Sequence, residues 1–312
     1  MKSIQSSRRY RTAGFALIAS LACLATTATA QSQSAPEAEA PEPPVDSVGG
    51  MGDINLFPKR VVINGRRDIA TIGLYNKTVN DGDYEILVQD MIMTPQGQLI
   101  EFNNGVSETD KARVRTASPF LRYSPRRVTL RGSESQTIRM MARATNDLPD
   151  GEYRSHFLAM SIPRDQDDGF SIDDAIGGQE AEGIGVTIRP RFGISIPVIV
   201  RIGETSLDVG ISHAALVALP DGTQGVGVTI DRTGTRSAFG DFVVTAPGAS
   251  KPIAISRGIG VYPEINQRKV LLPIDPETEP RFLAPGVELT ITYTDDDFAP
   301  GAELAEHKFV IR

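Results

Sequence analysis

The chain has 312 residues, a formal charge of −7 and a single cysteine, Cys23. The first 30 residues hold four basic residues (Lys2, Arg8, Arg9, Arg11) and no acid, leaving 28 basic against 39 acidic residues beyond them. That balance argues against a nucleic-acid protein, because phosphate binding needs a basic surface, and a chain without cysteine after position 23 excludes disulfides, thiolate metal sites and cysteine nucleophiles.

The N-terminus has the order of an export signal. A basic stretch from Lys2 to Arg11 precedes an apolar run, Ala13 to Ala25, and the small-x-small triplet Ala28-Thr29-Ala30. The run is too short to span a bilayer well, so residues 1–30 are expected to be a signal peptide cleaved after Ala30. No later segment approaches the ~18 consecutive apolar residues of a membrane helix. Residues 31–52 are rich in Pro, Ala, Glu, Ser and Gly. Such a segment buries too little apolar surface to offset its ordering entropy, so it reads as a disordered linker.

From residue 53 onward the pattern is all-β. Short segments alternate apolar and polar residues and are punctuated by turn signals such as Asn80-Asp81-Gly82 and Pro149-Asp150-Gly151, with no long capped run at helical spacing. Expected strands of a first domain, 53–201, are 54–63, 69–76, 83–93, 125–131, 134–144, 151–162 and 184–201. Those of a second domain, 204–312, are 205–213, 225–232, 239–246, 252–261, 268–274, 286–294 and 304–311. Seven short strands in about 110 residues suggest a sandwich of two antiparallel sheets, and two such sets give two sandwiches in tandem.

Enzyme signals are weak. His156, His213 and His307 lack metal-ligand spacing. The pairs Gly183/Gly185, Gly225/Gly227 and Gly258/Gly260 lack a third glycine and lead into strands rather than helices. The acidic stretch Asp165-Gln166-Asp167-Asp168-Gly169 fails as a calcium loop: with Gly169 at the invariant glycine, Arg164 and Gln166 fall at the first two ligand positions and Ala175 at the last. It reads as a solvated loop, residues 164–182. The residues point to no catalytic group, cofactor, metal or small-molecule substrate.

Residues 184–201 depart from ordinary strands. One parity is apolar throughout: Ile184, Val186, Ile188, Pro190, Phe192, Ile194, Ile196, Val198 and Val200. At ~3.3 Å per residue a continuous strand of this length would reach about 60 Å, against about 20 Å for a usual sandwich strand. Two readings are open. In the first, the segment is two ordinary strands broken at Pro190 or Gly193. Alternatively it is an exposed edge whose apolar row awaits another chain, the arrangement used in β-strand addition.

Four pieces of the first domain resemble the N-terminal domain of periplasmic pilus (fimbrial) assembly chaperones. Pro58 to Val62 (PKRVV) resembles the first strand and Ile72 to Asn76 (IGLYN) a strand ending in Asn. Ser124 to Arg139 resembles the segment S-P-x-x-x-x-L-x-x-G-x-x-Q-x-x-R, with Ser124, Pro125, Leu130, Gly132, Gln136 and Arg139 matching. Leu148 to Pro163 resembles the strand that follows. Asp231 to Asp241 and Thr294 to Ala299 carry a fainter likeness in the second domain.

The resemblance implies two immunoglobulin-like domains set at an angle. It implies a non-enzymatic periplasmic protein that lends its last strand of domain one to pilin subunits lacking a strand, before delivery to an outer-membrane usher. The donor row would be Ile184, Val186, Ile188, Phe192 and Ile194, partly exposed, with 196–200 turning inward. Two basic residues would hold the subunit's C-terminal carboxylate. Arg60 matches one. Pro197 stands where the family has the second, a Lys, leaving Arg189 and Arg191 as candidates. Arg201 and Asp297 would form an interdomain pair. The competing reading, a structural or adhesive exported tandem-sandwich protein, shares the fold but predicts a strand of normal length at the end of domain one.

Overall fold

The computed structural model describes residues 47–49, 52–163, 170–171, 187–188 and 190–312. The signal peptide, most of the linker, most of the acidic loop, Ile184, Val186 and Arg189 lie outside the described residues. In chain order the first half contains β1 (Val48–Gly49), β2 (Ile54–Phe57), β3 (Val61–Asn64), β4 (Ile69–Asn76), β5 (Gly82–Gln89), β6 (Met91–Met93) and β7 (Leu99–Glu101). After the single helical turn α1 (Glu108–Lys111) come β8 (Leu121–Ser124), β9 (Arg127–Leu130), β10 (Ser135–Ala142), β11 (Gly151–Ile162), β12 (Phe170–Ser171), β13 (Thr187–Ile188) and β14 (Gly193–Ile202).

Two sheets face each other, in the orders β1-β2-β4-β10-β8 and β3-β14-β11-β5-β9. Alternate residues of both sheets (Leu56, Ile63, Leu74, Tyr84, Ile138, Met140, Phe157 and Val198 among them) fill one core. The chain crosses between sheets at two prolines. The expected strand 54–63 divides at Pro58 into β2, paired with β4, and β3, paired with β14. Pro125 separates β8, on β10, from β9, on β5. Proline has no N–H for a ladder, so a strand can change sheets there without orphaning a donor. β1, inside the segment expected to be linker, pairs with β2.

The family-like motif residues serve the fold. The Asn76 side chain donates to the carbonyls of Asn80 (2.7 Å) and Arg131 (3.1 Å) and accepts from the Thr78 N–H (3.0 Å), tying the turn after β4 to the one after β9. Gly132 is required beside them, since a Cβ there would lie 2.1 Å from the Val79 carbonyl oxygen.

The second half forms β15 (Leu207–Ala218), β16 (Gln224–Gly234), β17 (Ala238–Thr245), β18 (Ala254–Val261), β19 (Gln267–Pro273), β20 (Glu288–Asp295) and β21 (Glu303–Val310). Its sheets are β15-β16-β19 and β18-β17-β20-β21. They enclose a second core in which Phe242 and Tyr293 stack with ring centroids 4.3 Å apart. The protein is therefore all-β, with two sandwiches. The β6-β7 hairpin of the first half reaches the second: Met93 belongs to the second core, and the Lys269 N–H donates to the Pro95 carbonyl at 2.7 Å.

β11 is central. Tyr153, Phe157 and Ala159 point into the first core, while Glu152, Arg154 and His156 are also buried, on the opposite face. Cross-strand neighbours share a face, so the register Glu152↔Arg201, Arg154↔Ile199, His156↔Pro197 defines a second buried surface built from β11 and β14. Four of these six residues are polar, and the second sandwich covers them.

Phe157 is fully buried and Phe192 is 44% exposed. Phe157→Ala should cost about 3–5 kcal/mol in a denaturant titration, whereas Phe192→Ala should fall within the ~0.5 kcal/mol typical of surface changes.

Candidate functional site

Three residues apart from any enzyme signal organise the junction between the sandwiches. Arg201, on β14, hydrogen-bonds both carboxylate oxygens of Asp297 through its two terminal nitrogens, and its Nε donates to Glu152 Oε2 at 3.2 Å. All three are nearly excluded from solvent. Burial alone would lower the Arg201 guanidinium, but the bonds and charges of Asp297 and Glu152 outweigh it and raise its affinity for the proton. Burial pushes the Glu152 carboxyl up, with Arg201 only partly countering it. Asp297 is presented by a loop wrapped around Asp295, whose carboxylate accepts the N–H groups of Asp297 (2.8 Å), Phe298 (3.2 Å) and Ala299 (3.0 Å).

Arg60, immediately before β3, stands beside this pair. Its Nη2 donates to the Asp296 carbonyl at 2.5 Å, its Nε lies 3.6 Å from Asp297 Oδ1, and its guanidinium carbon sits 3.9 Å from the Phe239 ring centroid. Its remaining nitrogen, Nη1, is buried and has no hydrogen-bond partner among the described residues. A cleft of about 630 Å³ opens here, lined by Phe57, Lys59, Arg60 and Arg201 from one sandwich and Asp296 and Phe298 from the other. Lys59 Nζ approaches Asp296 Oδ2 at 3.5 Å across it. Two cations, Lys59 and Arg60, on its wall suit the cleft to an anionic or strongly accepting group.

The strand β14 borders the same sandwich edge. It pairs with β11 along its whole length, but its other neighbour, the parallel strand β3, covers only Val198 to Arg201. Over residues 193–197 that second edge carries no strand among the described residues.

The structure corrects several expectations. The strand 184–201 is not continuous. Thr187–Ile188 pair with Phe170–Ser171 in a separate two-stranded ribbon, and β14 begins after the segment containing Pro190, which cannot donate to a ladder. The apolar row does not stay exposed as far as Ile194. That residue is 8% exposed and packs in the first core with Ile196, Val198 and Val200, because from position 194 the strand already lies over the sandwich interior. Phe192, one step beyond, is open. Arg191 does not join Arg60: its guanidinium pairs with Glu85 at 3.1 Å and bonds the Ser161 carbonyl, about ten residues, or ~33 Å, along the strand from Arg201.

Sequence reasoning missed a second buried ion pair. Arg154 Nη2 lies 2.7 Å from Glu264 Oε1 and donates to the Met91 carbonyl at 2.7 Å, over the Tyr262 ring. Glu264 also accepts the Met93 N–H at 3.0 Å, and Arg113 donates to its carbonyl at 2.6 Å. The available signal was the polar parity of β11, which reads equally well as a solvent face. No cluster of three metal-ligating side chains occurs among the described residues, and no described helix is long and apolar enough to cross a membrane.

No family model matches the chain, and no curated protein matches it. Solved structures do. The YadV chaperone is 13% identical, with 83% of this chain and 100% of that chain covered, at a TM-score of 0.41. The E. coli chaperone DraB is 11% identical over 83% and 96%, at 0.41. The CsuC–CsuE chaperone–tip adhesion subunit pre-assembly complex of Acinetobacter baumannii gives 13% over 83% and 98%, at 0.39. At these identities and scores the likeness is distant.

Arg201→Ala would strand two buried carboxylates, so it should cost about 3–5 kcal/mol by chemical denaturation. Arg201→Lys should recover only part of this, since one ammonium cannot reproduce a fork that serves Asp297 and Glu152 together.

Proposed function

We propose that the protein is an exported, periplasmic chaperone, with residues 1–30 as its signal peptide, that holds subunits of a pilus or related surface fibre by β-strand addition. The observation that carries this reading is the edge of β14 over residues 193–197, which has no partner strand among the described residues and lies on the same sandwich edge as the Arg60 cleft. Backbone groups of that edge can extend a ladder into a subunit that lacks a strand. Ile194 and Ile196 are committed to the chaperone's own core, so they add no donor side chains. The donor side chains are then Phe192 and the residues before it, Ile188, Val186 and Ile184. Arg60, on the wall of the cleft, receives the subunit's C-terminal carboxylate. Neither Arg191 nor Pro197 supplies a second cation. The partners are fibre subunits and an outer-membrane usher, and the activity needs no cofactor or bond-making step. The sequence motifs from Pro58 to Arg139 support the same reading.

The test is co-expression with exported β-rich proteins encoded beside this one. Arg60→Ala removes charge-assisted bonds worth about 1.5–3 kcal/mol, so recovery of a bound subunit should fall by roughly tenfold to a hundredfold. Ile188→Thr combined with Phe192→Thr should release the subunit to aggregate while the chaperone's unfolding midpoint stays within about 0.5 kcal/mol of the wild-type value. Undiminished recovery in both variants would overturn the proposal.

A further inference from the structure

The buried polar row on β11 contains one group that neither the fold nor the proposed binding uses. His156 is 1% exposed, and both ring nitrogens lack a hydrogen-bond partner among the described residues. Buried imidazoles that serve structure normally satisfy at least one nitrogen, since an unpaired polar atom in a dry site is costly. This ring instead meets the second sandwich, where Tyr262 stands edge-on with centroids 6.4 Å apart.

Its charged surroundings are already assigned. On its own strand the nearest charge is Arg154, a cation. From the second sandwich come Tyr262 and Glu264, and Glu264 Oε1 is taken by Arg154 and by the Met93 N–H. β14 places Pro197 opposite, which does not titrate. β5 places Gln89 opposite, whose amide is held by Glu101 of β7 at 3.0 Å. Further along the row, Glu152 is held by Arg201. A proton on His156 would therefore add a second positive charge beside Arg154, whose carboxylate partner Glu264 is already engaged.

We propose that His156 is an acid-sensitive latch between the two sandwiches: neutral, it lets them close on one another, and protonated, it drives this contact open. The proton can be hydrated only if Tyr262 and the second sandwich withdraw from β11. Burial first, and then the Arg154 charge, holds the imidazole well below its ordinary value. A hydrated His156 titrates near about 6.5. The open form thus takes up the proton first, and the closed form loses stability as pH falls below that value. The consequence reaches the cleft, because Lys59 and Arg60 stand on one sandwich and Asp296 and Phe298 on the other. Acidification would spread these walls. The latch does not depend on what the cleft binds.

The absence of cysteine beyond Cys23 makes the test direct. Exposed Val79 and Val310, one on each sandwich, are replaced by Cys in the signal-free chain and labelled as a fluorescence donor–acceptor pair. Between about pH 7.5 and about pH 5, a window centred on the imidazole range, transfer efficiency should change reversibly, with tyrosine near-ultraviolet dichroism retained. His156→Phe, which keeps a ring against Tyr262, should abolish the change. His213→Asn with His307→Asn should leave it intact. If His156→Phe does not fold, the imidazole proton resonances of the wild type decide, since the His156 titration must coincide with the transfer change. Constant transfer down to about pH 5, a change that persists in His156→Phe, or loss of dichroism together with transfer would each overturn the latch.

Discussion

The junction of this protein depends on one guanidinium. Arg201 closes β14 and simultaneously holds Glu152 of the adjacent strand and Asp297 of the second sandwich. A buried ion pair adds little net stability compared with apolar packing, because desolvation cancels most of the attraction. Its value here is geometric. A planar fork with fixed donor directions is satisfied in one arrangement of its two carboxylates, so the angle between the sandwiches is specified rather than merely favoured. The Asp295-centred turn makes the other half of that specification by presenting Asp297 rigidly.

The cleft follows from the same geometry. With Asp297 drawn to Arg201, Arg60 keeps only a long contact to it, bonds the Asp296 carbonyl, and retains an unpaired nitrogen. The open edge of β14 has a comparable origin: β3 is short because the chain needs Pro58 to change sheets, so β3 begins opposite Val198 and leaves the earlier residues of β14 uncovered.

Much of the fold was legible in the residues. Strands such as 69–76 and 151–162 coincide with β4 and β11, because turn residues bound them on both sides and period-two alternation fixes a face. Boundaries failed at Pro58 and Pro190, which sit inside apolar alternation that looks continuous, and at Asp90, where 83–93 divides into β5 and β6; a break in the ladder leaves the one-dimensional pattern unchanged. Of the site, Arg60, Arg201 and Asp297 were reachable by motif, whereas Glu152, Arg154, His156 and Glu264 were not. A polar parity beside an apolar one is the signature of a solvated sheet face, and only a second domain lying on that face converts it into a buried network.

What the sequence determined by itself is the kind of structure: an acidic, cysteine-poor, all-β chain of two sandwiches, with an apolar row before the junction, since periodicity and turn chemistry act over a few residues. Tertiary structure alone decided where that row ends. Ile194 is core and Phe192 is open because the sandwich happens to stop between them. It also decided that Arg191 lies a strand's length from Arg60, and that a lone histidine on β11 meets a tyrosine of the other sandwich. These are relations between residues distant in the chain, and no local pattern encodes a distance that only the packing of two domains creates.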